Sequence, residues 1–342
     1  MTHDELTKTF DVAVIGGGAA GLSAAVVLGR SRRAVIVIDA GAPRNAPADG
    51  VHTFLTRDGM PPAALLEAGR HEVDRYGGLR LRGEASAARR TERGFEVTLG
   101  DGTAIAARRL LVATGLTDEL PDVPGVRERW GRDVVHCPYC HGWEVRDQAV
   151  GILASGPLAV HQALLFRQLT ADVVLFGHTS PPTAEQAEQL AARGIRVVAG
   201  HVERLEVTGD RLTGVRMRDG RVVARQVVVA GPRMTARSPV LDSLGLRPVP
   251  HPMGADAGQA YPADAGGLTQ IPGVWVAGNV TDLQAQVVTA AAQGVAAAAA
   301  INAALVAEET QDAVGAARRE PFSAETEARL CESVMGEGRP GL

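Results

Sequence analysis

Only three cysteines, Cys137, Cys140 and Cys331, occur in 342 residues. That scarcity excludes a disulfide-stapled secreted fold and leaves too few thiolates for a structural tetrathiolate zinc site. The nearest histidines flank the pair and do not sit at zinc-finger spacing. Charge of one sign is not in excess either. The 35 Lys+Arg stand against 39 Asp+Glu, and the net charge of −4 gives no hint of a nucleic-acid partner. The opening stretch, MTHDELTKTF, is polar and does not read as a signal peptide. The apolar run AAQGVAAAAAINAALVA is mostly alanine and carries Gln293 and Asn302, so a buried or half-buried helix is expected there and not a membrane span. These absences lead to the expectation of a cytoplasmic protein without membrane contact, whose cysteine pair is chemical.

What is present is glycine, 40 residues of it, as suits an α/β chain with many tight strand-to-helix turns. The segment FDVAVIGGGAAGLSAAVVLGR is an apolar run that ends in glycines and continues as an alanine-rich amphipathic stretch. Gly16, Gly18 and Gly21 fill the G-x-G-x-x-G pattern: the first for the tight turn, the second for backbone approach to a pyrophosphate, the third for helix-on-strand packing. The helix start then offers free N–H groups to that pyrophosphate. The next strand, AVIVIDA, ends in Asp39, placed to accept hydrogen bonds from an adenosine ribose. Further on, FEVTLGDGTAIAARRLLVATG reads as a β-hairpin excursion ending in a small-residue turn, and GVWVAGNVTDLQAQ as a strand broken at Ala277-Gly278-Asn279 before a long helix.

Between these lies HCPYCHGWE, residues 136–144. Two cysteines so spaced are half a zinc site, a thiol–disulfide exchange centre, or two thiols merely close together. The order of motifs resembles the low-molecular-weight thioredoxin reductases over nearly the whole chain: glycine fingerprint, Ala-Thr-Gly, Cys-X-X-Cys, second α/β unit, Ala-Gly-Asn. The resemblance implies two Rossmann-like dinucleotide domains with three-layer ββα architecture, FAD as cofactor, and a homodimer. It implies flavin contacts from Gly16, Gly18, Ala19, Ala20, Gly21, Asp39, Arg44, Asn45, Thr114, Gly115, Gly278, Asn279, Gln286 and Val287. The family usually has Asp where this chain has Asn279, which still donates and accepts hydrogen bonds. By the same resemblance Cys140 is the flavin-proximal thiol and Cys137 the one that meets the external sulfur. Thiols at this spacing near a helix start drop from ~8.5 into the range of ~3.5–7.5. His141 replaces the family's Asp as proton donor or acceptor, work an imidazole does at neutral pH. His136 reads as structural, Trp143 as packing under the loop, and His52, His161 and His251 as without a role.

The likeness fails at the second nucleotide fingerprint, in VGILASGPLAVHQALLFRQLTADVVLFGHTS. Ala154 stands where the first glycine belongs, Gly156 keeps its place, Ala159 takes the third, and Pro157 removes an N–H from the turn. After the second strand the chain reads Gly177-His178-Thr179-Ser180, where the reductases carry a His-Arg-Arg grip on the 2′-phosphate. HCPYCHGWE, the PRN of residues 43–45 and GPLAVHQALLFRQ are similar to the gliotoxin- and holomycin-type dithiol oxidases, a branch of the same fold. That likeness implies that a small dithiol gives its electrons through the cysteines to FAD and on to dioxygen, producing hydrogen peroxide. The alternative is a thioredoxin-disulfide reductase fed by NADPH or by ferredoxin.

The expected layout is an FAD-binding segment at 1–116, an inserted nucleotide-like domain carrying the cysteines at 117–239, and a return to the FAD domain at 240–342 with a helical tail. The boundaries fall in TDELPDVPG and AGPRMTARSP. In the tail, FSAETEARLCESVM has helical spacing with Phe322, Ala328, Leu330 and Met335 as apolar contacts, fit to cover the substrate mouth or a dimer partner. Cys331 reads there as a small hydrophobe.

Overall fold

The computed structural model describes residues 8–319 and 324–336. Phe322, one of the expected tail contacts, lies outside them, as does the side chain of Met335. The apolar run at Phe10–Ile15 (β1) forms the centre of a seven-stranded sheet because both its neighbours are equally apolar. Val35–Asp39 (β2) pairs parallel on one side and Ala104–Val112 (β6) parallel on the other. Leu79–Arg82 (β3) extends the sheet beyond β2, while Ala85–Thr91 (β4) and Gly94–Leu99 (β5) extend it antiparallel beyond β6. The hairpin read from the sequence is therefore β5–β6, with Phe95 opposite Ala107. The strand Val274–Val276 returns from far along the chain to pair parallel with β6, Val276 beside Val112. Between β1 and β2 the chain crosses over through the helix Ala19–Arg30, as parallel pairing requires.

A second sheet is wholly parallel. Its order runs Arg196–Val198, Val173–Phe176, Val150–Leu153, Val227–Ala230, Val134–Val135. Its strands read as continuous apolar runs since both faces are covered. One face packs on Val145, Ala163, Phe166 and Leu190, the other on Val123, Leu205, Val215 and Met217. The fold is thus α/β with two Rossmann-like units, and both sheets belong to one compact unit that runs to Ala299.

The helix Val287–Arg319 is long and apolar enough to cross a membrane by length and composition alone. Its early turns are nevertheless core, with Ala290, Ala297 and Ala298 buried. A Cβ on Gly294 would stand 2.0 Å from the Ala20 carbonyl oxygen, so the helices Val287–Arg319 and Ala19–Arg30 touch backbone to backbone there. A second compact unit, from Ala300 on, holds the rest of that helix and the helix Ala324–Gly336. Ala328 and Leu330, expected as apolar contacts of the tail, are exposed in the single chain, as is Cys331.

Candidate active site

The glycine turn after β1 is built by exclusion. A Cβ on Gly16 would stand 2.4 Å from the Ala113 carbonyl oxygen and one on Gly21 would stand 1.9 Å from that of Gly16. Only bare backbone lets β6, the turn and the helix approach so closely, and Gly16 also takes a φ of +106°. Gly18 is different, since a Cβ there meets nothing within 4 Å. Gly18 caps the helix Ala19–Arg30 with no side-chain hydrogen bond, so the first-turn amides of Ala19 and Ala20 face that open space. Backbone donors, a positive helix end and room in front of them fit a pyrophosphate. Gly17, which the spacing leaves free, is constrained as well: its Cβ would fall 2.8 Å from the Asp39 carboxylate. Asp39 therefore lies against the turn, with Arg70 3.9 Å away.

The other expected cofactor contacts gather at the strand ends. Thr114 and Gly115 follow β6, Thr114 donating from its hydroxyl to the Arg237 carbonyl at 3.4 Å and Gly115 turning through a φ of +72°. Gly278 sits with its α-carbon side against Ala20 and Ala290. Asn279 spends its amide nitrogen on loop carbonyls, donating to Asp282 and Ala285 at 2.9 Å each, so only its Oδ1 faces outward as an acceptor. Gln286 accepts a hydrogen bond from the Thr53 hydroxyl at 2.8 Å, and Val287 opens the long helix. Gln293 escaped the sequence reading as a site residue. Its Oε1 accepts from the Gly278 N–H at 3.0 Å and its Nε2 donates to Asp282 at 2.9 Å, clamping the loop. The signal was an amide in an alanine run. Arg44 forks onto Asp118 at 2.6 and 2.7 Å, while Asn45 lies in the adjoining turn.

The short strand Val134–Val135 delivers the cysteines. Cys137 caps a four-residue helix, Pro138–His141, with proline at its first position, where the missing N–H costs nothing. The N–H groups of Cys140 and His141 both donate to the Cys137 carbonyl. This turn sets the two sulfurs 2.6 Å apart. The Cys140 thiol donates to Cys137 and, against burial, brings the latter down to about 7, helped by the Tyr139 and Cys140 amides and by the Arg44 charge. The same contact pushes Cys140 far up, and burial adds to it. The contact favours the thiolate at Cys137 and the thiol at Cys140. Among the described residues no three His, Cys, Asp or Glu side chains converge as a metal site.

His136 is half-buried, with the Gln162 amide nitrogen 3.1 Å from both its Nδ1 and its carbonyl oxygen. Burial first, then the Arg44 charge, hold it below the ordinary imidazole range, a neutral structural residue. His141 differs in that neither ring nitrogen has a hydrogen-bond partner although both are shielded from water. Burial lowers its pKa, with Glu144 and Asp49 opposing and His52 adding. An unpartnered buried imidazole beside two thiols is a vacant proton acceptor.

Trp143 corrects the sequence reading. It does not pack under the loop but is 67% exposed, with the Arg146 guanidinium 4.2 Å from its ring centre. The underside is already full: Val145 is buried there, and a Cβ on Gly142 would come within 2.4 Å of Leu169. At the second fingerprint, Ala154 is buried and its carbonyl accepts from both Thr179 and Ser180, while the space before Gly156 is open. A cavity of about 410 Å³ remains there, lined by His136, Gly156, Gln162, His178, His201 and Arg218 among others.

Comparison with known proteins agrees with this geometry. The family profile described as pyridine nucleotide-disulphide oxidoreductase matches residues 10–294. The chain is 34% identical over 253 residues to the thioredoxin reductase tcpT of Claviceps purpurea, a match that spans 70% of this chain and 79% of that protein. It is 31% identical over 311 residues to the thioredoxin reductase sirT of Leptosphaeria maculans, spanning 86% and 93%. Among solved structures, HlmI shares 50% identity with a TM-score of 0.85, covering 93% of this chain and 98% of HlmI.

Proposed function

The chain belongs to the pyridine nucleotide-disulphide oxidoreductase family, generally flavin-dependent, and from that premise we propose that it is an FAD-dependent dithiol oxidase acting on a small molecule. The observation that carries the reading is the cysteine pair, its sulfurs 2.6 Å apart, next to His141, whose ring nitrogens are shielded from water and without a hydrogen-bond partner. In this reading residues 1–116 and 240–342 hold the cofactor and residues 117–239 present the cysteines. The Gly18 turn with Ala19 and Ala20 receives the pyrophosphate, Asp39 the adenosine ribose, and Thr114, Gly115, Gly278 and the Asn279 Oδ1 the flavin end. Bound there, FAD supplies a two-electron acceptor that dioxygen reoxidises with release of hydrogen peroxide.

The chain's own part is thiol–disulfide exchange. A substrate thiol gives its proton to His141 and attacks the sulfur of Cys137 in the oxidised pair, and Cys140 leaves. Cys137 suits the outer position because its thiolate is a good leaving group once the second substrate sulfur closes the product disulfide. Cys140 takes the inner position, next to the flavin, where it receives the bonding pair released from the Cys137–Cys140 bond.

A second reading, an NADPH-dependent thioredoxin-type reductase, draws on the cavity before Gly156 and on the names of tcpT and sirT. Against it stand Ala154 and Pro157 in the turn and Gly177-His178-Thr179-Ser180 where an arginine pair would grip a phosphate. An anaerobic titration followed by flavin absorbance separates the two. Bleaching by a small dithiol and not by NADPH, with colour returning in air, is the expected result; rapid bleaching by NADPH would overturn it.

A further inference from the structure

The turn that holds the cysteines carries two large aromatic rings that the exchange chemistry does not use. Tyr139, between the two cysteines, is 62% exposed, and Trp143 is 67% exposed. The Gly142 N–H donates to the Pro138 carbonyl at 2.9 Å and Gly142 itself takes right-handed helical angles, so the turn continues past the helix Pro138–His141. Trp143 is thus four residues from Tyr139 and three from Cys140, the two spacings that make neighbours on a helical surface. A molecule whose sulfur reaches this turn meets these rings.

Trp143 is held out from the turn and not left loose. Arg146 Nη1 donates to the Trp143 carbonyl at 2.7 Å, and its guanidinium carbon lies 4.2 Å from the ring centre, covering one face. Beneath the turn, Val145 and Leu169 leave no room for the indole to fold back. On the other side Glu144 Oε1 lies 3.5 Å from His52 Nε2, and the loop 51–60 to which His52 belongs presents Leu55, 86% exposed. That loop is fastened in turn, the Thr53 N–H donating to Asp58 Oδ1 at 2.9 Å and the Thr53 hydroxyl to Gln286 Oε1 at 2.8 Å. A ring fixed in this way loses little freedom when something stacks on its open face.

Size and chemistry say what stacks there. A whole aromatic side chain offers ~150–250 Å², so two rings about two-thirds exposed give roughly 200–300 Å² between them. Even with Leu55 the patch falls well short of the ~800 Å² per side that a stable protein partner or a second copy buries. It matches one face of a small ring system. A π-face laid on a π-face gains binding beyond the area it covers, whereas an open-chain dithiol gains area alone. We propose that Tyr139 and Trp143 form the seat for a flat, unsaturated ring that carries the two thiols of the substrate, with Trp143 setting the preference for such a ring over an open-chain dithiol. The proposal rests on the dithiol-oxidase reading of the preceding subsection. The ring stacks on the uncovered face of Trp143 while one of its sulfurs attacks Cys137, and Arg146 backs the indole from the other side.

The test uses the full-length flavoprotein and its Trp143→Leu and Trp143→Phe variants, each confirmed to be folded and to retain flavin. Benzene-1,2-dithiol is the flat probe and dithiothreitol the open-chain one, and anaerobic flavin reduction is followed by stopped flow. In Trp143→Leu the half-saturating concentration of benzene-1,2-dithiol should rise about fivefold more than that of dithiothreitol, the size of a lost ring–ring contact. The loss should fall on half-saturation more than on the limiting rate, as removal of a binding contact does. Trp143→Phe, which keeps a π-face, should restore most of the preference. An equal change for both dithiols, or none, would overturn the proposal. If neither dithiol bleaches the wild-type flavin, the dithiol-oxidase reading fails. The seat is then judged with 1,2-bis(methylthio)benzene, which has the ring but no thiol to exchange. It must quench a part of the tryptophan fluorescence that Trp143→Leu lacks, and the absence of that quenching overturns the proposal by itself. So does shielding of Trp143 from iodide in the ligand-free protein, since a second copy would then cover the ring.

Discussion

Cys137 and Cys140 are identical in covalent structure and opposite in acidity, and the difference comes from one hydrogen bond inside a four-residue helix. Alkylation of the reduced protein by iodoacetamide should therefore follow a midpoint at about 7 and slow as pH falls below it, since only the thiolate reacts. In Cys140→Ala the donor is gone, and the midpoint should rise toward an ordinary ~8.5. Cys140→Ser should remain yellow and yet pass no electrons between thiols and flavin, and turnover at the wild-type rate would refute the assigned path. The pair and His141 were legible because their chemistry is written in adjacent letters. Trp143 was misread and His52 passed over, and the hydrogen bonds of the Asn279 amide nitrogen were not foreseen, because their surroundings come from distant letters. Leu169 and Val145 fill the space under the loop, the carbonyls of Asp282 and Ala285 take the Asn279 amide, and a threonine 233 residues from Gln286 fastens the loop that carries His52.

At the level of elements, the glycine turn separates two kinds of requirement that a sequence pattern merges. Gly21 is needed by the fold, Gly18 by the ligand. Gly21→Ala drives a methyl into the Gly16 carbonyl and should cost about 3 kcal/mol in denaturant unfolding. The Cβ that Gly18→Leu adds meets no protein atom within 4 Å, so on the proposed reading the flavin-free protein should melt as wild type while the purified variant comes off the column colourless. The strands, the crossover helix and the β5–β6 hairpin were readable from periodicity and turn residues. The loop 51–60 was not, because it has no periodicity and its form depends on contacts at Asp58, Gln286 and Glu144.

For the whole molecule, β1, β6, the strand Val274–Val276 and the helix Val287–Arg319 converge at the cradle proposed for FAD, and that proposal ties flavin retention to global stability. At a free FAD concentration one hundred times Kd, mass action adds about 2.7 kcal/mol to unfolding. Stripping the flavin should lower the melting temperature accordingly, and re-adding it should restore the original value. The same convergence bears on biosynthesis. β6 is the sheet's central partner for Val274–Val276, but that strand is translated roughly 160 residues later, which at ~5–20 residues per second leaves one edge of β6 without its neighbour for on the order of ten seconds or more. On the ribosome the nascent chain must carry an open, apolar edge at Leu110–Val112 through that interval, and the cradle proposed for the cofactor closes only after the strand Val274–Val276 and the first turns of the long helix have emerged.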